Sequence, residues 1–146
     1  MSFKIPISVL VVVYTGDGQV LLLERVDHPG FWQSVTGSQE DGETLAQTAA
    51  REVFEETGLD ARVYPLSDWN LQNEYEIFLE WRWRYPPGIT HNVEHAFGLQ
   101  MQQPQDIRIA PREHSAYIWL PWADAATRCF SWTNAAAIRN HFDKHA

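Results

Sequence analysis

The sequence of 146 residues has a single cysteine, Cys129, and no lysine between Lys4 and Lys144. One cysteine excludes an internal disulfide and fits a reducing compartment, so we expect a cytoplasmic protein. The simplest interpretation of Cys129 is a small buried hydrophobe rather than a nucleophile. No apolar run approaches the roughly 20 residues of a membrane span, and the first residues lack a cleavable signal pattern. We therefore expect no membrane partner.

Positive charge is scarce, since 11 Lys and Arg stand against 19 Asp and Glu, for a formal net charge of -8. Without a basic stripe, a nucleic-acid polymer is not an expected partner. The length and the hydrophobic content of 45% predict one globular domain, residues 1–146, as a monomer or weak homodimer. An anionic substrate would depend on a bound metal and on a few well-placed cations.

Several catalytic motifs are also missing. The six histidines are scattered without the spacing of zinc ligands, which argues against a zinc site. The chain has neither a P-loop nor a G-x-S-x-G motif, so covalent serine catalysis is unsupported.

The segment 37–59, GSQEDGETLAQTAAREVFEETGL, predicts a loop, a capped helix and a helix stop. Thr44, followed three residues later by Gln47, has the pattern of a capping box. Apolar residues recur at helical spacing from Leu45 onwards. Gly58 supplies the left-handed residue that commonly ends a helix.

Three acidic residues of this helix, Glu52, Glu55 and Glu56, stand at positions i, i+3 and i+4 and share one face. Like charges at this spacing repel each other by a few tenths of a kcal/mol. From the spacing alone, two interpretations are open. The face is either a solvated acidic surface or a cluster of hard oxygen ligands for Mg²⁺ or Mn²⁺.

The whole segment resembles the Nudix box. The nine matching positions are Gly37, Glu43, Arg51, Glu52, Val53, Glu55, Glu56, Gly58 and Leu59. The resemblance implies an α/β fold, an α/β/α sandwich with a mixed β-sheet. It also implies a divalent cation and hydrolysis of a nucleoside diphosphate linked to another moiety.

Within the box, the resemblance implies metal-binding and catalytic roles for Glu52, Glu55 and Glu56. Glu52 and Glu56 are alternative general bases. Family members commonly recruit a further carboxylate from outside the box, and Glu113 is the candidate for that metal-binding and catalytic role. The alternative is that Glu113 is a solvated loop residue.

The same resemblance implies structural roles for four other residues of the box. Glu43 and Arg51 would form an ion pair that ties the loop to the helix. Gly37 and Gly58 would allow the backbone conformations at the two ends of the motif.

Alternation and turn residues predict the remaining elements of the chain. We predict strands at 5–14, 19–25, 31–36, 62–66, 75–85, 95–103 and 117–120, a loop at 67–73, and helices at 121–128 and 134–141.

Segments outside the box resemble the pterin triphosphate hydrolases of bacterial folate synthesis, a branch of this family. They are PISVLVVVY, FWQSVTGS, YEIF, RYPPG and SWTN. The resemblance implies a small-molecule triphosphate substrate that loses pyrophosphate. It implies substrate contacts from Lys4, Arg25, Thr36, Tyr75, Glu76, Ile77, Phe78 and Ser131.

Alternatives exist for the substrate contacts and for the function. Lys4 and Arg25 flank predicted strands, where cations commonly face solvent. Tyr75, Phe78 and Trp132 are candidates for stacking on a flat heterocycle. The alternative functions are a broad nucleotide pyrophosphatase, acting on dATP or damaged triphosphates, and a non-catalytic Nudix-like binding module.

Overall fold

The computed structural model describes residues 3–144, in which the apolar run near the N-terminus forms the central strand β1 (Ile7–Thr15). Successive side chains of a strand point to opposite faces, and both faces of β1 are buried. Val9 and Val11 pack with Val53 of the first helix, whereas Val12 packs with Ile138 of the last helix. This strand is apolar throughout because helices cover both sides of the sheet.

The elements follow in the order of an α/β/α sandwich. The remaining strands are β2 (Gln19–Arg25), β3 (Trp32–Gln33), β4 (Val35–Ser38), β5 (Leu66–Glu76), β6 (His91–Met101) and β7 (His114–Pro121). The helices are α1 (Leu45–Thr57), α2 (Trp122–Arg128) and α3 (Trp132–Lys144), with a 3-10 helix at Leu79–Arg84. The implied α/β/α arrangement with a mixed sheet is confirmed.

The pairing of β1 divides along its length. It runs parallel to β6 along all nine of its residues and antiparallel to β4 between Ser8 and Val11. Its antiparallel pairing with β2 is confined to Tyr14 and Val20, and β2 continues into β3 and β7. The strands on one side of β1 therefore diverge, which leaves room for a cleft beside its N-terminal half.

Helix α1 has the predicted boundaries. The Gln47 amide donates to the Thr44 hydroxyl at 3.1 Å, and the Thr44 amide donates to the Gln47 side chain at 2.9 Å. Gly58 takes a φ of 77° and its amide donates to the Phe54 carbonyl. The capping box and the glycine stop are confirmed.

The predictions for the stretch 62–73 are wrong. Residues 61–63 form a turn, and the supposed loop at 67–73 belongs to strand β5. A bulge between Asp68 and Leu71, with Asn70 at a φ of 53°, shifts the register against β6. Trp69 and Asn70 have no partner on β6 at this bulge, which breaks the alternation of side chains, so the sequence pattern does not look like a strand.

The long strand predicted at 75–85 is also wrong. Strand β5 ends at Glu76, and the chain turns into the 3-10 helix despite its alternating sequence. Arg82 donates to the Ile77 carbonyl at 3.0 Å, and Trp81 stacks on Phe78 with ring centroids 5.0 Å apart. Arg25 lies over the Trp81 ring at 4.5 Å, and His28 lies 3.0 Å from Glu80. These tertiary contacts override the local preference for a strand.

The other predicted elements are confirmed with shifted ends. The strand predicted at 31–36 is split at Ser34 into β3 and β4, and β6 and β7 begin earlier than predicted. None of the helices within residues 3–144 is long and apolar enough to cross a bilayer.

Replacement of Thr44 by alanine removes the hydroxyl that accepts the Gln47 amide. We expect Thr44→Ala to lower the free energy of unfolding by about 1 kcal/mol. For a protein of this size, Tm should fall by about 2–4 °C. Thr127→Ala is the matched control, because this exposed hydroxyl donates only to the Ala123 carbonyl within α2. An equal loss from both variants would contradict a specific capping contribution.

Candidate active site

Arg51 of α1 is the centre of a polar network that joins the helix to the loop before it. Its Nε and Nη2 donate to the two carboxylate oxygens of Glu43 at 2.8 and 3.1 Å, and Nη2 also donates to the Ser38 carbonyl at 3.0 Å. Its Nη1 donates to Glu52 at 2.6 Å and to Glu55 at 3.4 Å. These hydrogen bonds hold the pKa of Glu43 at about 2. The guanidinium is therefore engaged by the protein itself.

Glu52 lies directly over strand β4. A Cβ on Gly37 would overlap the carboxyl carbon of Glu52, so only glycine permits this approach. Gly37 has no positive φ, and its requirement comes from the close packing of the helix side chain on the strand. Burial raises the pKa of Glu52, although Arg51 opposes the shift.

Glu56, Glu113 and His114 offer ligand atoms that lie within 4.8 Å of one another. Glu56 and His114 are buried, whereas Glu113 is exposed where the chain enters β7. Burial and the neighbouring Glu52 raise the pKa of Glu56 well above its usual range. Burial lowers the pKa of His114 to about 4, so its imidazole is neutral at pH 7. The 3.8 Å contact between His114 and Glu56 is therefore not an ion pair at that pH.

This acidic cluster fits a divalent cation. Oε1 of Glu56 is buried and accepts no hydrogen bond, and a carboxylate oxygen of Glu113 lies within 4.8 Å of a Glu56 oxygen. Such an arrangement is costly without a cation, and carboxylate oxygens suit hard divalent ions. Glu52 and Glu56 line one cavity with Glu113, but Glu55 does not line it. The Glu55 side chain is exposed beside Arg51.

Cations also line this cavity despite the acidic composition of the protein. The cavity is lined by Lys4, Arg25, Arg84 and Arg112 as well as by Arg51. Desolvation and the nearby Arg84 lower the pKa of the Lys4 amine. Arg25 lies over the ring of Trp81 at 4.5 Å and pairs with Asp27 at 2.7 Å.

Aromatic rings form a wall further along the cavity. Phe78 and Trp81, from the start of the 3-10 helix, lie near-parallel, and Phe130 meets Phe78 edge-on with centroids 6.1 Å apart. Phe31 stacks on Phe130 from behind at 4.5 Å. Trp132 also lines the cavity, with 61% of its surface exposed.

Polar groups form the end of the cavity beneath this wall. The buried Asn92 donates to the Ser8 hydroxyl at 2.7 Å and to the Tyr75 hydroxyl at 3.0 Å. Glu94, two residues after Asn92 on the same face of β6, is 7% exposed. Burial raises its pKa to about 7, against a hydrogen bond from Thr133.

These groups share one cavity of about 910 Å³. Every residue with an implied substrate contact lines it: Lys4, Arg25, Thr36, Tyr75, Glu76, Ile77, Phe78 and Ser131. Our sequence interpretation missed His114, Trp81, Arg84, Asn92, Glu94 and Phe130. Nothing local in the sequence marks these residues, because distant segments bring them to the cavity.

Comparison with known proteins gives consistent results. Over 139 residues the chain is 48% identical to the dihydroneopterin triphosphate diphosphatase of Escherichia coli K12, covering 93% of this chain and 91% of that protein. The Haemophilus influenzae protein of the same name is 41% identical over 144 residues, covering 97% and 90%.

The fold comparison agrees. A solved structure of the E. coli dihydroneopterin triphosphate pyrophosphohydrolase matches with a TM-score of 0.90 at 45% identity, covering 96% of this chain and 97% of that one. The NUDIX domain profile matches residues 4–141, which is nearly the whole chain. This protein belongs to the NUDIX domain family.

Proposed function

We propose that this protein is a metal-dependent pyrophosphohydrolase that converts dihydroneopterin triphosphate to the monophosphate and pyrophosphate, a step of folate biosynthesis. The observation that carries the proposal is a single cavity with an acidic cluster at one end and an aromatic wall with a polar floor at the other. Similarity to curated dihydroneopterin triphosphate diphosphatases over most of the chain supports the choice of heterocycle.

The acidic end would hold the metal through Glu52, Glu56 and Glu113, with Mg²⁺ the preferred ion and Mn²⁺ an alternative. When bound, the cation neutralises phosphate charge and lowers the pKa of a water molecule. Our assignment of Glu55 as a further ligand requires its exposed side chain to rotate away from Arg51.

The chain's own residues perform the remaining tasks. Lys4, Arg25 and Arg84 line the cavity, where they attract and orient the phosphates. Arg51 keeps Glu52 in place rather than contacting substrate, because Glu43, Ser38 and Glu52 engage its donors.

A carboxylate must accept the proton of the attacking water. Glu52 and Glu56 are the two candidates, and we propose Glu56, through the oxygen that does not hold the metal, because Glu52 already accepts a hydrogen bond from Arg51. The water oxygen forms the new bond to phosphorus, and the anhydride bond between the α- and β-phosphates breaks to release pyrophosphate.

The bulk properties support a small-molecule enzyme. A net charge of -8 disfavours a nucleic-acid polymer as substrate. The lone cysteine is consistent with a cytoplasmic location, and we propose a monomer or weak homodimer.

Glu56→Gln should remove most turnover without unfolding the protein. Loss of partners outside the first coordination sphere costs about 10- to 100-fold, so loss of a ligand oxygen should cost at least about 100-fold in kcat. A carboxyl whose pKa is raised in the folded state destabilises it above that pKa, so the metal-free variant should melt at or above the wild-type Tm at pH 7. Exposed Glu74→Gln is the control. Wild-type turnover in Glu56→Gln would refute the assignment.

Mg²⁺ should stabilise the folded protein, because the carboxylate cluster is assembled only in the native state. The gain should reach about 2.7 kcal/mol at 100 times the dissociation constant. Protons compete for Glu52 and Glu56, whose pKa values are raised, so the gain should shrink as the pH falls. Thermal melts with Mg²⁺ or EDTA at several pH values measure this. A Tm that ignores millimolar Mg²⁺ would contradict the site.

Dihydroneopterin triphosphate should exceed dATP in kcat/KM, with pyrophosphate as the product. A ten- to hundredfold preference needs about 1.4–2.8 kcal/mol of differential transition-state binding. Removing the ring in Phe78→Ala should reduce the pterin rate more than the dATP rate. Equal efficiency on the two substrates would instead support a general nucleotide pyrophosphatase.

A further inference from the structure

Glu94 is a buried carboxylate of β6 that lines the cavity. Among the residues that the structure describes, no cationic side chain pairs with it, and its hydrogen-bond partner is Thr133. A buried acid without a cation is expensive to keep ionised. Its position in a cavity makes this carboxylate a candidate for contact with a ligand.

Glu94 lines the same cavity as the acidic cluster, at the opposite end. In the sheet register, Glu94 of β6 pairs with Ser8 of β1, which in turn pairs with Ser38 of β4. Two strand spacings of about 4.8 Å separate the Cα atoms of Glu94 and Ser38 by roughly 10 Å. The neighbouring residues of β4, Thr36 and Gly37, contact Glu56 and Glu52. A flat heterocycle with a short linker can span this distance.

Hydroxyl and amide groups surround Glu94. The Ser131 hydroxyl lies 2.8 Å from that of Thr133, so a chain of hydroxyls leads from the cavity rim to the carboxylate. Burial and the Glu94 charge raise the pKa of the Tyr75 hydroxyl. Asn92 fixes that hydroxyl by its hydrogen bond. Phe78 and Phe130 line the cavity with flat apolar surfaces.

A carboxylate at the end of an aromatic slot is complementary to two adjacent N–H donors on one ring edge. A pterin presents this pattern through its 2-amino group and N3–H, and guanine presents it through its 2-amino group and N1–H. Adenine offers an acceptor at N1 beside its amino group, so it would leave one carboxylate oxygen facing a lone pair. Hypoxanthine offers the ring N–H alone.

We infer that Glu94 selects the substrate base by accepting hydrogen bonds from an adjacent ring N–H and exocyclic amino group. The inference deepens the proposed function and rests on it for the placement of the phosphates at Glu56. It also makes a prediction about substrates: replacing Glu94 should reduce turnover more for bases that present this two-donor edge than for bases that do not.

The test compares kcat/KM for dihydroneopterin triphosphate, GTP, ITP and ATP in the Mg²⁺-loaded wild type and Glu94→Gln. An amide cannot accept two hydrogen bonds with the strength of a carboxylate. We expect kcat/KM to fall about 10- to 100-fold for the pterin substrate and GTP, less for ITP, and under about threefold for ATP. Glu74→Gln, which changes an exposed glutamate of β5, should leave all four values unchanged.

The ratios between substrates do not depend on the fraction of folded enzyme, so partial unfolding of Glu94→Gln cannot produce the expected pattern. Binding gives a second readout. Fluorescence titration with neopterin, which carries no phosphate, should show at least tenfold weaker binding to Glu94→Gln. Binding of inorganic pyrophosphate should be unchanged.

An equal loss on all four substrates, or no loss on any, would overturn the inference. Wild type that prefers the pterin substrate with a ratio insensitive to Glu94→Gln supports the proposed function and overturns this inference. Wild type inactive on the pterin substrate, with a GTP preference that depends on Glu94, overturns the proposed function and supports the role of Glu94.

Discussion

The bidentate hydrogen bonding of Arg51 to Glu43 is the constraint on which the acidic end of the cavity depends. It fixes the loop before α1 against the helix, and the remaining donors of Arg51 hold the Ser38 carbonyl and Glu52. Glu52, Glu55 and Glu56 can then lie on one face of α1 beside strand β4, although their like charges repel one another. The pair is partly buried, so water screens it less than a surface ion pair.

The distribution of charge explains how an acidic protein accommodates a polyanion. Five cations, Lys4, Arg25, Arg51, Arg84 and Arg112, line the same cavity as the carboxylates of Glu52, Glu56 and Glu113. Arg25 and Arg84 both approach the ring of Trp81. The 3-10 helix therefore supplies an aromatic wall and also positions positive charge. The overall charge of -8 gives no indication of this local field.

The sequence was informative where the chemistry is local. Thr44, Gly58 and the glutamates of α1 follow from spacing along one helix, so their arrangement could be predicted. Glu113 could be proposed only through resemblance. His114 and Glu94 could not be found, because a histidine or glutamate within a strand has no pattern that reveals its neighbours across the sheet. The predictions for the bulge at 68–71 and for the 3-10 helix were wrong for a related reason, because tertiary contacts decide both structures.

The divided pairing of β1 has an evolutionary consequence. The acidic end of the cavity is built from β4, α1 and the start of β7, whereas the end proposed to contact the base is built from β5, β6 and the segment entering α3. Strand β1 pairs with β4 on one side and with β6 on the other. Substitutions that reshape the base end after gene duplication can therefore leave the hydrolytic end intact. The same hydrolytic chemistry can in this way serve substrates with different bases.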